Sequence, residues 1–190
     1  VQLNAVGFID GFVVKLDTNG QVQWGRSIGS YGSDTATGVA IDSDGSVVVT
    51  GYFSKTVDFG CSSLTSRGGV DVFVVKLSGS TGQCVWAKQI GGSLNDLPNS
   101  VVSAPNRDVI VTGWFEGSAD LLGVQESSVG GQDVFVVRLS GSDGSRVWEK
   151  TFGGTVDDSG RAVAVDPQGN VVLVGTFSGV VNSPLLGGKS

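Results

Sequence analysis

The ionisable residues of this sequence recur in register. Asp34, Asp96 and Asp158 stand 62 residues apart, and Asp10, Asp71 and Asp133 mark a second acidic position. Lys15, Lys76 and Arg138 share one cationic position, and Arg26, Lys88 and Lys150 share another. Such a set can do two kinds of work. It can line a polar pocket, one per repeat, that holds a ligand such as a sugar. It can instead cap turns and pair charges at strand ends, which is scaffold. Catalysis asks for something different, one asymmetric group of residues tuned apart so that one is acid and another base. Three equivalent copies provide three similar environments, so scaffold is the expectation. Asp34, Asp96 and Asp158 remain the candidate binding residues of the pocket alternative.

Other chemistry is removed by composition. There is no His, which takes away the usual base of Ser and Cys hydrolases and a common zinc ligand. Two Cys cannot build a four-thiolate site. A disulfide between Cys61 and Cys84 and a pair of free thiols are both compatible with the sequence, and the bond would point outside the cell. Asp17-Thr18-Asn19-Gly20 and Asp42-Ser43-Asp44-Gly45 start like calcium loops but lack the closing acid, so they read as hairpin turns. Asp58-Phe59-Gly60 and Gly188-Lys189-Ser190 imitate fragments of phosphate-handling motifs without their context. No metal or cofactor is expected. Twelve basic against 18 acidic residues give a net charge of -6, which leaves no basic face for nucleic acid. No apolar run is long enough for a helical membrane span. Met is absent and no signal-peptide pattern is visible, which reads as a mature or excised segment.

The elements that must position these groups follow from the same repeat. Gly supplies 31 of 190 residues, more than double its usual share of about 7%. These Gly alternate with Val-rich runs, the signature of short strands and tight turns. Trp24, Trp86 and Trp148 keep the 62-residue spacing, as do Gly51, Gly113 and Gly175. DGFVVKL (10–16), DVFVVKL (71–77) and DVFVVRL (133–139) alternate with period two. Each unit predicts four strands, in the second at about 71–77, 84–90, 99–104 and 108–115. The fold class is therefore all-β: three four-stranded antiparallel units of about 62 residues, taken as 1–62, 63–124 and 125–190. Repeated Trp in such units is expected to pack between them, its N–H on a nearby acceptor, with sugar stacking as the alternative.

These units resemble the SBBP-type β-propeller repeats of secreted and surface proteins. The resemblance rests on DVFVVKL, Trp86, Gly91-Gly92 with Asp96, VTG at 111–113, and Asp58-Phe59-Gly60 with Leu64-Thr65-Ser66. The third unit departs from it at Asn182-Ser183-Pro184. It implies β-propeller blades, and propellers close with about four to eight of them. Three leave exposed edges, so the expected partners are further blades from the same or another chain. The expected function is a non-enzymatic extracellular or cell-surface module, structural or adhesive. A lectin-like propeller with one glycan site per blade is the alternative. Neither nucleic acid nor membrane insertion is expected.

Overall fold

Alternating apolar residues and Gly- or Asp-bearing turns make hairpins the local unit, and the structure is a set of hairpins joined at their edges. It is a computed structural model, and residues 2–180 are described. The first unit contributes β1 (Gly11–Leu16), β2 (Val22–Ile28), β3 (Thr35–Ile41) and β4 (Val47–Phe53). A small ribbon, β5 (Thr56–Asp58) and β6 (Ser63–Thr65), leads into the second unit. There β7 (Asp71–Leu77), β8 (Cys84–Gly92), β9 (Asp96–Ser103) and β10 (Val109–Asp120) follow. The third has β11 (Gln125–Leu139), β12 (Arg146–Phe152), β13 (Ser159–Val165) and β14 (Val171–Thr176). Every described element is a strand. The chain is all-β and antiparallel.

The sheets, however, do not coincide with the sequence units. The third and fourth strands of one unit pair with the first and second of the next. One sheet is therefore β3-β4-β7-β8 and another is β9-β10-β11-β12. They touch through a short ladder between Gly91-Gly92 and Ala119-Asp120. β1-β2 and β13-β14 stand as two-stranded hairpins. So two complete four-stranded sheets and two half-sheets are present, where the sequence suggested three whole ones. The reason is the connections. Residues 29–34 lead from β2 to β3 without pairing them, whereas the long link from β4 to β7 folds its middle into β5-β6. That fold-back lets β4 lie beside β7, from Val47 opposite Leu77 to Phe53 opposite Asp71.

These layers stack face to face. The β1-β2 hairpin covers one face of the first sheet through Trp24, Ile28, Phe53, Phe73, Val75 and Leu77. The other face, with Val48, Val72, Val74 and Ile90, meets Val109, Val111, Phe115, Phe135 and Leu139 of the second sheet. The second sheet's far face packs Ile110, Val136, Trp148 and Phe152 on Val163 and Leu173. β3, β9 and β13 lie against one another along one edge of the stack. Asn99 Nδ2 donates to the Gly160 carbonyl at 2.7 Å there. The sheets stack as successive layers and do not close into a ring among the described residues. No helix among them is long and apolar enough to cross a membrane.

Candidate functional site

Three latches tie neighbouring layers, and they use most of the repeated polar residues. The first is built on the first hairpin of the first two units. A register shift after Lys15, Lys76 and Arg138 puts each cation opposite the unit's Trp on the paired strand. Lys15 Nζ and Trp24 Nε1 both donate to the Gly79 carbonyl, at 2.6 and 3.0 Å. Lys76 Nζ and Trp86 Nε1 do the same to the Gly141 carbonyl, at 2.8 and 3.3 Å. Each acceptor lies in a turn of the next sheet, so a carbonyl's two lone pairs are shared by one indole and one ammonium. The rings are nearly fully buried and crowd Gly82 and Gly144, where an added side-chain carbon would meet them at 2.7 and 2.8 Å and where the left-handed backbone (φ 68° and 70°) favours glycine. Trp24 and Trp86 are thus packing residues whose ring faces are covered, with no face open to a sugar.

Lys76 carries a second bond. Asp42 Oδ2, at the end of β3, lies 2.7 Å from its Nζ, and both groups are buried. Burial alone would raise the Asp42 pKa, but the Lys76 bond and charge, with the Ser46 and Asp44 N–H groups, hold it below the usual carboxylate range. Asp42 Oδ1 also accepts the Asp44 and Ser46 N–H, so the sequence that imitates a calcium loop is a hydrogen-bonded turn. Asp17 does the same for Asn19 and Gln21. In the next unit Ala104 replaces this acid, and Arg138 turns instead to Asp108, 2.9 Å away.

The candidate residues Asp34, Asp96 and Asp158 make the third latch, and all three are buried. Asp96 Oδ2 accepts the Gly92 N–H at 2.7 Å, and its Oδ1 accepts the Glu116 N–H at 3.3 Å. Asp34 accepts the Ser30 and Ser54 N–H, and Asp158 those of Gly154 and Ser178. Every copy therefore pins the crossover between two sheets to a backbone N–H 20 residues on, within β10 for Asp96 and just past β4 and β14 for the other two. No Lys or Arg takes part. The three carboxylates stay in separate crossovers and meet no common pocket, and no metal-holding cluster occurs among the described residues.

Beside this Asp sits the other recurring acid. A side-chain carbon on Gly91 would stand 2.7 Å from both the Asp71 carboxyl carbon and Asp96 Oδ2, so the two acids approach across a bare glycine. Burial first, then the charges of Asp71 and Glu116, push the Asp96 pKa up to about 7. Burial also raises Asp71, and it raises Asp133 together with the charge of Asp158. The Oδ1 atoms of Asp10, Asp71 and Asp133 are buried without a hydrogen-bond partner. A carboxyl poised near 7 beside another carboxylate has the right protonation for acid–base work, but neither Asp71 nor Asp96 is exposed to a substrate.

Cys61 and Cys84 form a disulfide, with Cα atoms 5.4 Å apart, joining the β5-β6 ribbon to the start of β8. Gly188-Lys189-Ser190 and Asn182-Ser183-Pro184 lie outside the described residues. Sequence reasoning missed the Asp42–Lys76 pair, the shared Gly79 and Gly141 carbonyls, and the buried hydroxyls of Thr50 and Thr112. Those hydroxyls donate to the Phe73 and Phe135 carbonyls, at 2.9 and 2.7 Å. The recurrence of Gly79 and Gly141 at the 62-residue offset was the available signal.

Buried latches that repeat sheet by sheet are what a propeller-type array requires, and the comparisons agree at that level. The chain is similar to a WD repeat protein. That relative, an uncharacterized WD repeat-containing protein of Acanthamoeba polyphaga mimivirus, is 22% identical over 203 residues, covering 89% of this chain. The chain spans 14% of the relative's length. No family model matches, so the resemblance to SBBP repeats stands only as likeness to a β-propeller-type repeat.

Proposed function

We propose that this chain is a non-enzymatic interaction scaffold of β-propeller type, structural or adhesive, working outside the cell or at its surface. The observation that carries this reading is the use of Asp34, Asp96 and Asp158: each is buried and committed to two backbone N–H groups. Residues so committed hold sheets together, and none of these three acids is left free for substrate. Similarity to a WD repeat protein supports the propeller-type scaffold. The Cys61–Cys84 bond supports an oxidising location, where such bonds persist. The partners in this reading are further blades, presented by the same or another chain. A lectin-like reading asks for an open pocket at each repeated Asp, and the burial of these residues weighs against it.

Two measurements test the proposal together. Surface proteolysis of intact source cells should release fragments of the chain, and a glycan array should give no ligand. Glycan binding abolished by Asp96→Ala, in a variant that still melts cooperatively, would replace the scaffold with the lectin. Protection of the chain from external protease until the cells are lysed would overturn the location.

A further inference from the structure

Internal pairing within this chain is a template for what its open edges accept. β7 docks on β4 and β11 docks on β10 in one register, Val47 opposite Leu77 and Val109 opposite Leu139. Among the described residues, β14 carries the free edge that β4 and β10 use, and β1 the free edge that β7 and β11 use. We propose that β14 of one copy pairs with β1 of a second copy, head to tail, to complete a four-stranded sheet from two half-sheets. The repeat fixes the register: Val171 opposite the partner's Leu16, Leu173 opposite the partner's Val14, Gly175 opposite the partner's Phe12. This deepens the scaffold reading and rests on its propeller architecture, and it names the partner as the chain itself.

Three observations select this occupant. First, the apolar positions that the junction would cover are exposed, although the same repeat positions are buried inside the chain. Phe12 is 66% and Phe177 68% exposed, while their counterparts Phe73, Phe135, Phe53 and Phe115 are completely buried. Val14, Leu16 and Val172 are exposed in the same way. Second, the receiving groove exists. Val134, Phe152, Gly160, Leu173 and Gly175 line a space of about 540 Å³. Inside the chain the Phe73 ring lies directly over Gly51, the counterpart of Gly175. The partner's Phe12 fills the groove by the same placement.

Third, charges match. Asp166 copies the Asp42 turn: its Oδ1 accepts the Gln168 and Asn170 N–H, as Asp42 Oδ1 accepts those of Asp44 and Ser46. Asp42 Oδ2 faces Lys76 across the β4–β7 pairing, so Asp166 Oδ2, which within one copy accepts from Asn170 Nδ2 at 2.7 Å, faces the partner's Lys15. The middle unit has Ala104 and Arg138 at these positions, so the two ends suit each other better than either suits the middle. One internal bond has no equivalent, because Val174 replaces the hydroxyl of Thr50 and Thr112. Two copies of these 190 residues joined at both junctions would hold six sheets, a number within the usual range of a closed propeller.

Sedimentation equilibrium of the 190-residue protein across a concentration series tests this. The expected species has twice the 19.4 kDa chain mass. Phe12→Asp and Phe177→Asp should each leave a monomer with an unchanged thermal transition, since both side chains are exposed within one copy. Mixing the two variants should restore a dimer, because one junction then joins two unaltered edges. A monomeric wild type at every concentration overturns the proposal. So does a Phe12→Asp protein that still dimerises, which means like edges pair. A dimer that binds glycans would sink the scaffold function and leave the junction standing.

Discussion

Raising the pH from about 5 to about 8 should destabilise this protein, with Asp96 the largest single contributor. Two backbone N–H groups on Asp96 favour its carboxylate, but burial and the charges of Asp71 and Glu116 outweigh them and place its pKa at about 7. In the unfolded chain the value is 3.8. Between those values the folded state holds a proton that the unfolded state has released. Stability therefore falls as pH rises through this window, and the loss is complete once both forms are ionised above about 7. Over the whole window the difference of about three units corresponds to about 4 kcal/mol, of which about 3 kcal/mol falls between pH 5 and 8, against the 5–15 kcal/mol typical of a domain. Asp71 and Asp133, raised by burial, act with the same sign, while the Arg67 charge moderates Asp71. Asp96→Asn removes the titration. The amide keeps one oxygen for Gly92 or Glu116 but turns its NH2 on the other donor, costing about 1–3 kcal/mol near pH 5. At pH 8 the wild type also bears the buried charge, so the gap should close or invert. Urea melts followed by Trp fluorescence across this range measure it. A gap that stays constant from pH 5 to 8, or a wild type most stable at pH 8, would refute the reasoning.

Trp86→Ala should cost about 3–5 kcal/mol, since it empties a buried site and removes one of the two donors to the Gly141 carbonyl; a loss below about 1 kcal/mol in urea would contradict the packing role. Asp42→Asn should destabilise by about 3 kcal/mol, because it leaves Lys76 charged and buried. Wild-type stability from the depressed Asp42 pKa should likewise fade only as pH drops below about 4, which acid titration of the melting temperature will show. Reducing the Cys61–Cys84 bond, which spans 23 residues, should lower stability by about 3 kcal/mol on loop entropy; differential scanning calorimetry with and without reductant reads this directly.

Local structure was legible because its causes are local. Period-two alternation in DVFVVKL and the Asp-bearing turns place the strands, and 71–77 is β7 to the residue. Which hairpin joins which was not legible. A repeat gives the order of strands only up to a cyclic shift, so the sequence alone is equally consistent with a sheet starting at β1 or at β3. The choice is made by β5-β6 folding back and by Asp34 and Asp96 locking the crossovers, and both depend on contacts between distant segments. The recurring acids were visible by their spacing. Their distant partners were not, because one N–H of each pair lies 20 residues downstream and the facing acid Asp71 lies 25 residues upstream of Asp96.

The offset between sequence units and sheets bears on how such a protein can change length. If sheets coincided with units, a lost or gained unit would take or add a whole layer, whose outer surfaces would have to suit new neighbours. Here every unit gives half of itself to the sheet before and half to the sheet after. Removing residues 63–124, for example, would bring the β3-β4 hairpin next to the first two strands of the third unit, whose Asp133, Phe135, Val137 and Leu139 repeat Asp71, Phe73, Val75 and Leu77. The spliced sheet would be a chimaera of two units, yet its register would be the one both already use. Blade number can therefore drift by recombination between copies while β1 and β14 keep the same edges.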